Sequence, residues 1–217
     1  IYTLSLHDAL PISIHDLEAR ALVDEVTATR KLNVDHFAGA FALAAIPARY
    51  ALERGQWADA STLSPTPADL AWNRFPQAES IVWFARGLGA ARSGNPARAR
   101  QDLARIEALR DAMTAAKSLY WAHQSEVQRL AVAAWIARAE GRKEEALSLM
   151  RASADAEDAT EKHPVTPGSI KPARELLGEM LVELGQPAEA LKEFEASHRV
   201  EPNRFQGLYG EIGRAHV

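Results

Sequence analysis

Side chains that could do chemistry are few and widely spaced in this sequence. Five histidines lie between residues 13 and 210: His15, His36, His123, His163 and His198. No two of them have the His-x-x-x-His spacing that places two metal ligands on one face of a helix. His123 and Glu126 are three residues apart, but such pairs are common on solvated helix surfaces. The histidines therefore predict no metal site.

Other catalytic arrangements are also missing from the sequence. The chain contains no cysteine, which excludes thiol catalysis, disulfides and Cys-ligated zinc. It contains no Gly-x-Ser-x-Gly motif and no predicted strand that could lead into a phosphate-binding loop. His163 follows Glu161 in a Pro-rich segment and is a candidate functional residue in a loop, although stabilising a turn is the simpler role. We predict no cofactor and no catalysis on this segment.

The composition favours helices and argues against two further classes of protein. Alanine, the strongest helix former, accounts for 42 of the 217 residues, so we expect a mostly helical chain. No apolar run approaches about 18 residues, so the sequence predicts no membrane insertion. The net charge of −4 argues against nucleic-acid binding, because proteins that bind nucleic acids usually carry a basic excess.

The two ends of the sequence resemble translated sequencing adapters. Residues 1–12 are similar to the translation of one common short-read adapter, and residues 211–217 to that of the opposite adapter. Segments of this kind are left out of fold reasoning. We therefore expect residues 13–210 to be one native domain and a metagenomic fragment of a longer array. Without the true N-terminus, the choice between a cytoplasmic and a periplasmic protein stays open.

A fourfold repeat indicates which elements position the remaining side chains. The unit is glycine, any residue, a ring or long side chain, two residues and alanine. It begins at Gly55, Gly94, Gly141 and Gly185, at spacings of 39, 47 and 44 residues. Glycine readily adopts the left-handed conformation that ends a helix, and proline at the next helix start loses no needed N–H. Each copy therefore predicts a turn between two helices.

Apolar residues recur with the helical period on both sides of these turns. Leu177, Met180, Leu181 and Leu184 do so before Gly185, and no long segment alternates with a period of two. A proline inside one predicted helix should bend or interrupt it near Pro47. The predicted helices are 13–32, 35–54, 57–63, 77–93, 96–114, 118–140, 143–158, 172–184 and 187–200.

The pattern resembles the tetratricopeptide repeat family. The last unit matches best, with Leu177-Gly178, Gly185, Ala190, Phe194, Ser197 and Pro202 at the family's spacing. The family's usual unit is 34 residues, so longer helices or loops are expected here. Tyr120-Trp121-Ala122 is also similar to part of a group of bacterial repeat proteins without an assigned activity. The resemblance covers about residues 36–210 and implies an all-α, right-handed α-solenoid of antiparallel helix hairpins.

The resemblance also implies a function. In this family the first helix of each pair lines a concave face that binds a protein or peptide. By register, that face here carries Phe84, Arg92, Gln128, Trp135, Arg138, Glu175 and Glu179. We therefore expect a non-catalytic scaffold that binds an elongated partner of mixed charge. Two alternatives stay open: Phe84 and Trp135 could be ordinary core residues, and the segment could belong to a larger enzyme or metal-binding protein whose site lies mostly upstream.

Charge and truncation add two expectations. Residues 80–110 carry six basic and two acidic side chains, whereas residues 140–201 carry eight basic and fourteen acidic ones. These are either solvated helix faces or a gradient that orients a charged partner. Phe205, Leu208 and Tyr209 begin a further helix with no capping partner, so we expect weak self-association through that end.

Overall fold

The computed structural model describes residues 6–32, 34–160, 169–202 and 204, with side chains from residue 16 onward. Within these ranges there are nine α-helices, a 3-10 turn at Trp72–Arg74 and no strand. None of the described helices is long and apolar enough to cross a membrane. The helices are α1 Leu6–Ala28, α2 Phe37–Glu53, α3 Trp57–Ala60, α4 Pro76–Arg92, α5 Pro96–Ala115, α6 Leu119–Ala139, α7 Lys143–Asp158, α8 Ala173–Glu183 and α9 Pro187–Val200.

The all-helical class is confirmed. Six helices, α4 to α9, begin and end within one residue of their predicted bounds. Helix α1 begins earlier than predicted, inside the segment that resembles an adapter. Helix α2 continues through Pro47, so the predicted interruption does not occur. Its buried alanines pack against α4, which offsets the one backbone hydrogen bond that proline removes.

The turns after the helices share one hydrogen-bonded geometry. Each repeat glycine has a positive φ, between 63° and 81°, and the amide that follows it bonds back to a carbonyl five residues earlier. This is the Schellman ending of a helix, in which a left-handed residue lets the chain satisfy its last carbonyls. A fifth turn of this kind joins α5 to α6, where Lys117 holds the left-handed position with φ 58°.

The helices pack as successive pairs. Helices that follow one another pack most extensively: α4 with α5, α5 with α6, α6 with α7, and α8 with α9. Helix α4 also packs against α2 and α6. Close approach within the last pair depends on Gly178, because a Cβ there would stand 2.7 Å from the ring of Phe194. The buried apolar side chains form one main core that runs from α2 to α9.

Candidate functional site

Some of the residues predicted for a concave face lie on one surface, whereas Phe84, Trp135 and Glu175 are buried. We call that surface the inner face: the side of α2, α4, α6 and α8 that carries the side chains of Arg49, Arg92, Gln128, Arg138 and Glu179. The contacts below connect these helices across that surface. The shared core and the packing of α4 against α2 and α6 hold these helices in place.

Arg92 is the central cation of the inner face. Its guanidinium lies between two indole rings, with its carbon 3.8 Å from the centroid of Trp57 and 3.9 Å from that of Trp135. It also donates to Glu179, and its Nη2 stands 2.9 Å from Glu183 Oε1. A guanidinium can stack and pair at the same time because its donors lie in the plane of the group. Arg92 therefore joins α4 to α3, α6 and α8.

Two acidic residues of α8, one buried and one partly buried, pair with cations. The side chain of Glu175 is fully buried and accepts from Arg204 Nε at 2.7 Å. Lys171 Nζ, also fully buried, stands 2.7 Å from Glu179 Oε1. Burial alone would raise the pKa of Glu179, but the charges of Lys171 and Arg92 outweigh it and lower that pKa. Both carboxylates are therefore already paired within the chain.

The remaining predicted residues of the inner face are also engaged. The rings of Phe84 and Trp135 are each 3 % exposed, so both lie in the core. Gln128 accepts a hydrogen bond from the hydroxyl of Ser80 at 2.8 Å. Arg138 Nη2 lies 3.7 Å from Glu183 Oε2 and remains partly exposed. Acidic side chains of residues 140–201 thus pair with basic side chains of residues 80–110 within the chain, as Glu179 and Glu183 do with Arg92.

A non-helical segment, Ser169–Lys171, covers the middle of the inner face. Arg49 Nη2 donates to the carbonyl of Ser169 at 3.0 Å, and Ile170 is 6 % exposed. Only about 30 Å³ of space remains between this segment and Phe84, Gln128 and Ala131. A ligand cannot reach that part of the surface while the segment is in place.

A cleft of about 390 Å³ remains open beside that segment. It lies between the N-terminal parts of α4 and α6 on one side and the ends of α7 and α9 on the other. Its lining combines aromatic rings, amides and charged groups. The aromatic, amide and charged lining side chains include Phe41, Gln77, Tyr120, Trp121, Gln124, Gln128, Glu157, Asp158, Arg174 and Glu201.

The aromatic side of the cleft is a chain of edge-to-face rings. Tyr120 and Trp121 have ring centroids 5.0 Å apart, and Trp121 is 5.4 Å from Phe37. Phe37 in turn lies 5.6 Å from Phe41. Contacts of this kind hold rings in fixed orientations and add about 0.5–1.5 kcal/mol per pair. The cleft therefore has a preformed apolar wall.

Glu157 stands on the opposite side of the cleft, in the last turn of α7. It accepts from the hydroxyl of Ser169 at 2.6 Å and from the backbone N–H of Ala173 at 2.7 Å. It therefore ties α7 to the first turn of α8. Burial raises the pKa of this carboxyl to about 7, although both hydrogen bonds favour its charged form. Glu201 and Asp158 nearby raise it further.

The sequence missed most of the cleft. Gln124 and Tyr120 stand one and two helical turns before Gln128, so extending the predicted register backwards along α6 would have found them. Glu157 could not be found from this register, because it lies in the last turn of α7, the second helix of its pair, and the register followed only the first helices. His163 lies outside the described residues, as do Phe205, Leu208 and Tyr209. His123 has its Nε2 2.8 Å from the carbonyl of Ala156, and no group of three described acidic or histidine side chains could hold a metal ion.

The comparisons with known proteins add no relative. No protein-family model matches the chain, and neither the curated proteins nor the solved structures contain a match.

Proposed function

We propose that the chain is a non-catalytic scaffold of the tetratricopeptide type, a right-handed solenoid that binds a segment of a partner protein. Three observations support this proposal. The four repeat glycines end helices in the same way. The first helices of the pairs pack side by side, and Gly178 and Phe194 make the close contact expected of a hairpin in this family. Stacked hairpins of this kind leave an extended surface for a ligand.

The cleft is the observation that carries the proposed binding function. Most of the inner face is already satisfied, since Arg92, Glu175 and Glu179 are paired within the chain. The cleft, in contrast, offers about 390 Å³ beside α4 and α6. That volume falls within the range of small-ligand sites and suits one or two side chains of a bound segment. We therefore place the partner in the cleft rather than along the whole inner face.

The lining suits a peptide better than a reacting substrate. The side-chain amides of Gln77 and Gln124 can both donate to and accept from a peptide backbone. The rings of Tyr120 and Trp121 supply rigid apolar area of the kind that concentrates binding energy at interfaces. The expected affinity is moderate, because the cleft is small compared with a standard protein interface.

Selection from a random peptide library displayed on phage tests this function. We expect the purified protein to enrich a family of related peptides. Replacing the cleft residues in Tyr120→Ala and Gln124→Ala should weaken their binding about tenfold or more. The matched control is Gln101→Ala, an exposed glutamine of α5, which should leave the affinity unchanged. Failure to enrich any peptide, or equal losses in the control, would contradict the proposal.

A further inference from the structure

Carboxylates outnumber cations around the cleft. Glu157, Asp158 and Glu201 contribute carboxylates to its lining, and Arg174 is the one lysine or arginine among the described lining residues. Arg174 is already engaged: its Nη2 is 2.6 Å from Asp158 Oδ2, and its Nη1 is 2.5 Å from Glu193 Oε2. The described lining therefore leaves Glu157 without a cationic partner, in a cleft with a negative balance.

We propose that the cleft receives a lysine or arginine side chain of the bound segment, with its charged end at Glu157 and its apolar stem against the rings of Tyr120 and Trp121. This inference rests on the proposed peptide-binding function and names the chemistry that the peptide must carry. The bound segment must therefore carry a cation, which contacts Glu157, a residue that the sequence did not single out.

The geometry at Glu157 leaves room for an incoming cation. A carboxylate offers about four acceptor positions, and the described contacts use two, from Ser169 Oγ and Ala173 N. Both contacts hold the carboxylate in place before a ligand arrives, so little ordering is needed on binding. The aromatic wall can stack on a guanidinium or cover the methylene groups of a lysine.

The charges around Glu157 set how the site should respond to pH. Asp158 is on the same helix, Glu201 faces it from the end of α9, and Arg174 belongs to the start of α8. On the other neighbouring elements, Arg49 of α2 bonds to Ser169 O, Lys171 pairs with Glu179, and His123 of α6 bonds to Ala156 O. Because burial raises the pKa of Glu157 to about 7, the carboxyl is mostly neutral at pH 5.5 and mostly charged at pH 8. A cation should therefore bind more tightly at the higher pH.

Titration with capped amino acids tests the proposal without knowledge of the natural partner. The probes are Nα-acetyl-lysine-N-methylamide, its uncharged norleucine analogue and its glutamate analogue, followed by amide shifts in the ¹⁵N-labelled protein. We expect the lysine probe to shift amides around the cleft and to bind about fivefold or more tightly at pH 8 than at pH 5.5. The norleucine probe should bind about fivefold or more weakly than lysine at pH 8.

Two variants connect the effect to its residue. Glu157→Gln keeps the shape and an acceptor for Ala173 N, and it should abolish both the preference for lysine and its pH dependence. The matched control is Glu144→Gln on the exposed first turn of α7, which should change neither. If Glu157→Gln impairs folding by circular dichroism, Glu201→Gln should still reduce the preference for lysine.

Equal binding of lysine and norleucine, tighter binding of glutamate, or no binding of lysine at the cleft would overturn the proposal. These outcomes are distinct from failure of the peptide-binding function. Library peptides that bind in the cleft but lack lysine and arginine would leave that function intact and refute only the cation site. Binding of capped lysine in the cleft with no enriched peptide would refute the function instead.

Discussion

At the residue scale, the left-handed position after each helix shows how one side chain affects the fold. Gly55, Gly94, Gly141 and Gly185 hold this position with the positive φ that the repeat predicted. Lys117 holds it in the fifth turn, where no glycine indicated it. A side chain in this conformation costs roughly 1–2 kcal/mol because its Cβ approaches the following carbonyl. The left-handed conformation is therefore unstrained at the four glycine turns and strained at Lys117.

Exchanging the residue types at these turns should change stability in opposite directions. Gly185→Val should lower the free energy of unfolding by about 1 kcal/mol or more, and Lys117→Gly should raise it by about 0.5–1 kcal/mol. No atom lies within 4 Å of a Cβ built at Gly185, so the loss would report backbone strain rather than a clash. Urea unfolding measures both values. Unchanged stability in Gly185→Val would mean that the repeat register is wrong at this turn.

Glu157 should make stability fall as the pH rises. Its pKa is about 7 in the folded protein and close to 4.5 when unfolded, so the folded state binds more protons between these values. Stability therefore decreases from about pH 4.5 to about pH 7, by roughly 1–3 kcal/mol. Urea unfolding at pH 5 and pH 8 should show this decrease in the wild type and a smaller one in Glu157→Gln. A wild type that gains stability over this range relative to the variant would contradict the assignment.

At the element scale, the close contact between α8 and α9 sets how the last hairpin packs. A Cβ at Gly178 would lie 2.7 Å from two ring carbons of Phe194, closer than side chains tolerate. Phe194 is itself 3 % exposed and belongs to the main core, where packing is dense, so a shift of its ring would disturb neighbouring side chains. The small residue on one helix and the large one on the other are therefore a matched pair.

A double-mutant cycle tests this pairing. Gly178→Ala should destabilise the wild type by about 1 kcal/mol or more, because overpacking outweighs the better helix propensity of alanine. In a Phe194→Leu background, where the ring is gone, the same change should be neutral or stabilising. Equal effects of Gly178→Ala in the two backgrounds, measured by urea unfolding, would show that the two residues do not interact.

The elements could be predicted from sequence because their signals are local. Helix period, the repeat glycines and the prolines at helix starts placed α4 to α9 almost residue by residue. The turn at Lys117 carries no such residue, and the continuity of α2 through Pro47 depends on packing against α4 rather than on local propensity. What escaped prediction at this scale is therefore what tertiary contacts decide.

At the scale of the whole molecule, the network around Arg92 holds distant parts of the chain together. It joins α4 to Trp57 in α3, to Trp135 in α6 and to Glu179 in α8. The side chain of Arg92 is only 10 % exposed. Register alone placed Arg92, Trp135 and Glu179 on one surface and assigned the two charges to a ligand; it did not include Trp57. It could not show that they pair with each other, because pairing depends on how α8 approaches α4.

Removing the Arg92 guanidinium should lower the free energy of unfolding. Arg92→Met removes two cation–π contacts and leaves Lys171 as the remaining cation for Glu179 and Arg138 for Glu183. We therefore expect a loss of roughly 2–3 kcal/mol of stability. Arg98→Met is the matched control, since Arg98 is 43 % exposed and lies 3.7 Å from Asp102. That change should cost less than about 1 kcal/mol. Similar losses in the two variants by urea unfolding would refute a central role for Arg92.

The candidate site was only partly predictable for the same reason. Gln128 was chosen from its register and does line the cleft. Glu157 and Arg174 reach the cleft from a second helix and from a helix start, so no spacing along one helix could have connected them to Gln128. Residues 169–171 cover the surface that register assigned to the ligand. Their position depends on a contact with Arg49, 120 residues away from Ser169 in the sequence, as well as on the pairing of Lys171 with Glu179.

Site-specific photo-crosslinking tests most directly that the partner binds in the cleft. A benzophenone amino acid is placed at position 124, inside the cleft, or at position 101 on the exposed surface of α5, and each protein is mixed with a library-selected peptide. We predict strong crosslinking from position 124, little from position 101, and competition by excess unlabelled peptide. Crosslinking from position 101 with none from position 124, in folded proteins that are each saturated with the peptide, would contradict binding in the cleft.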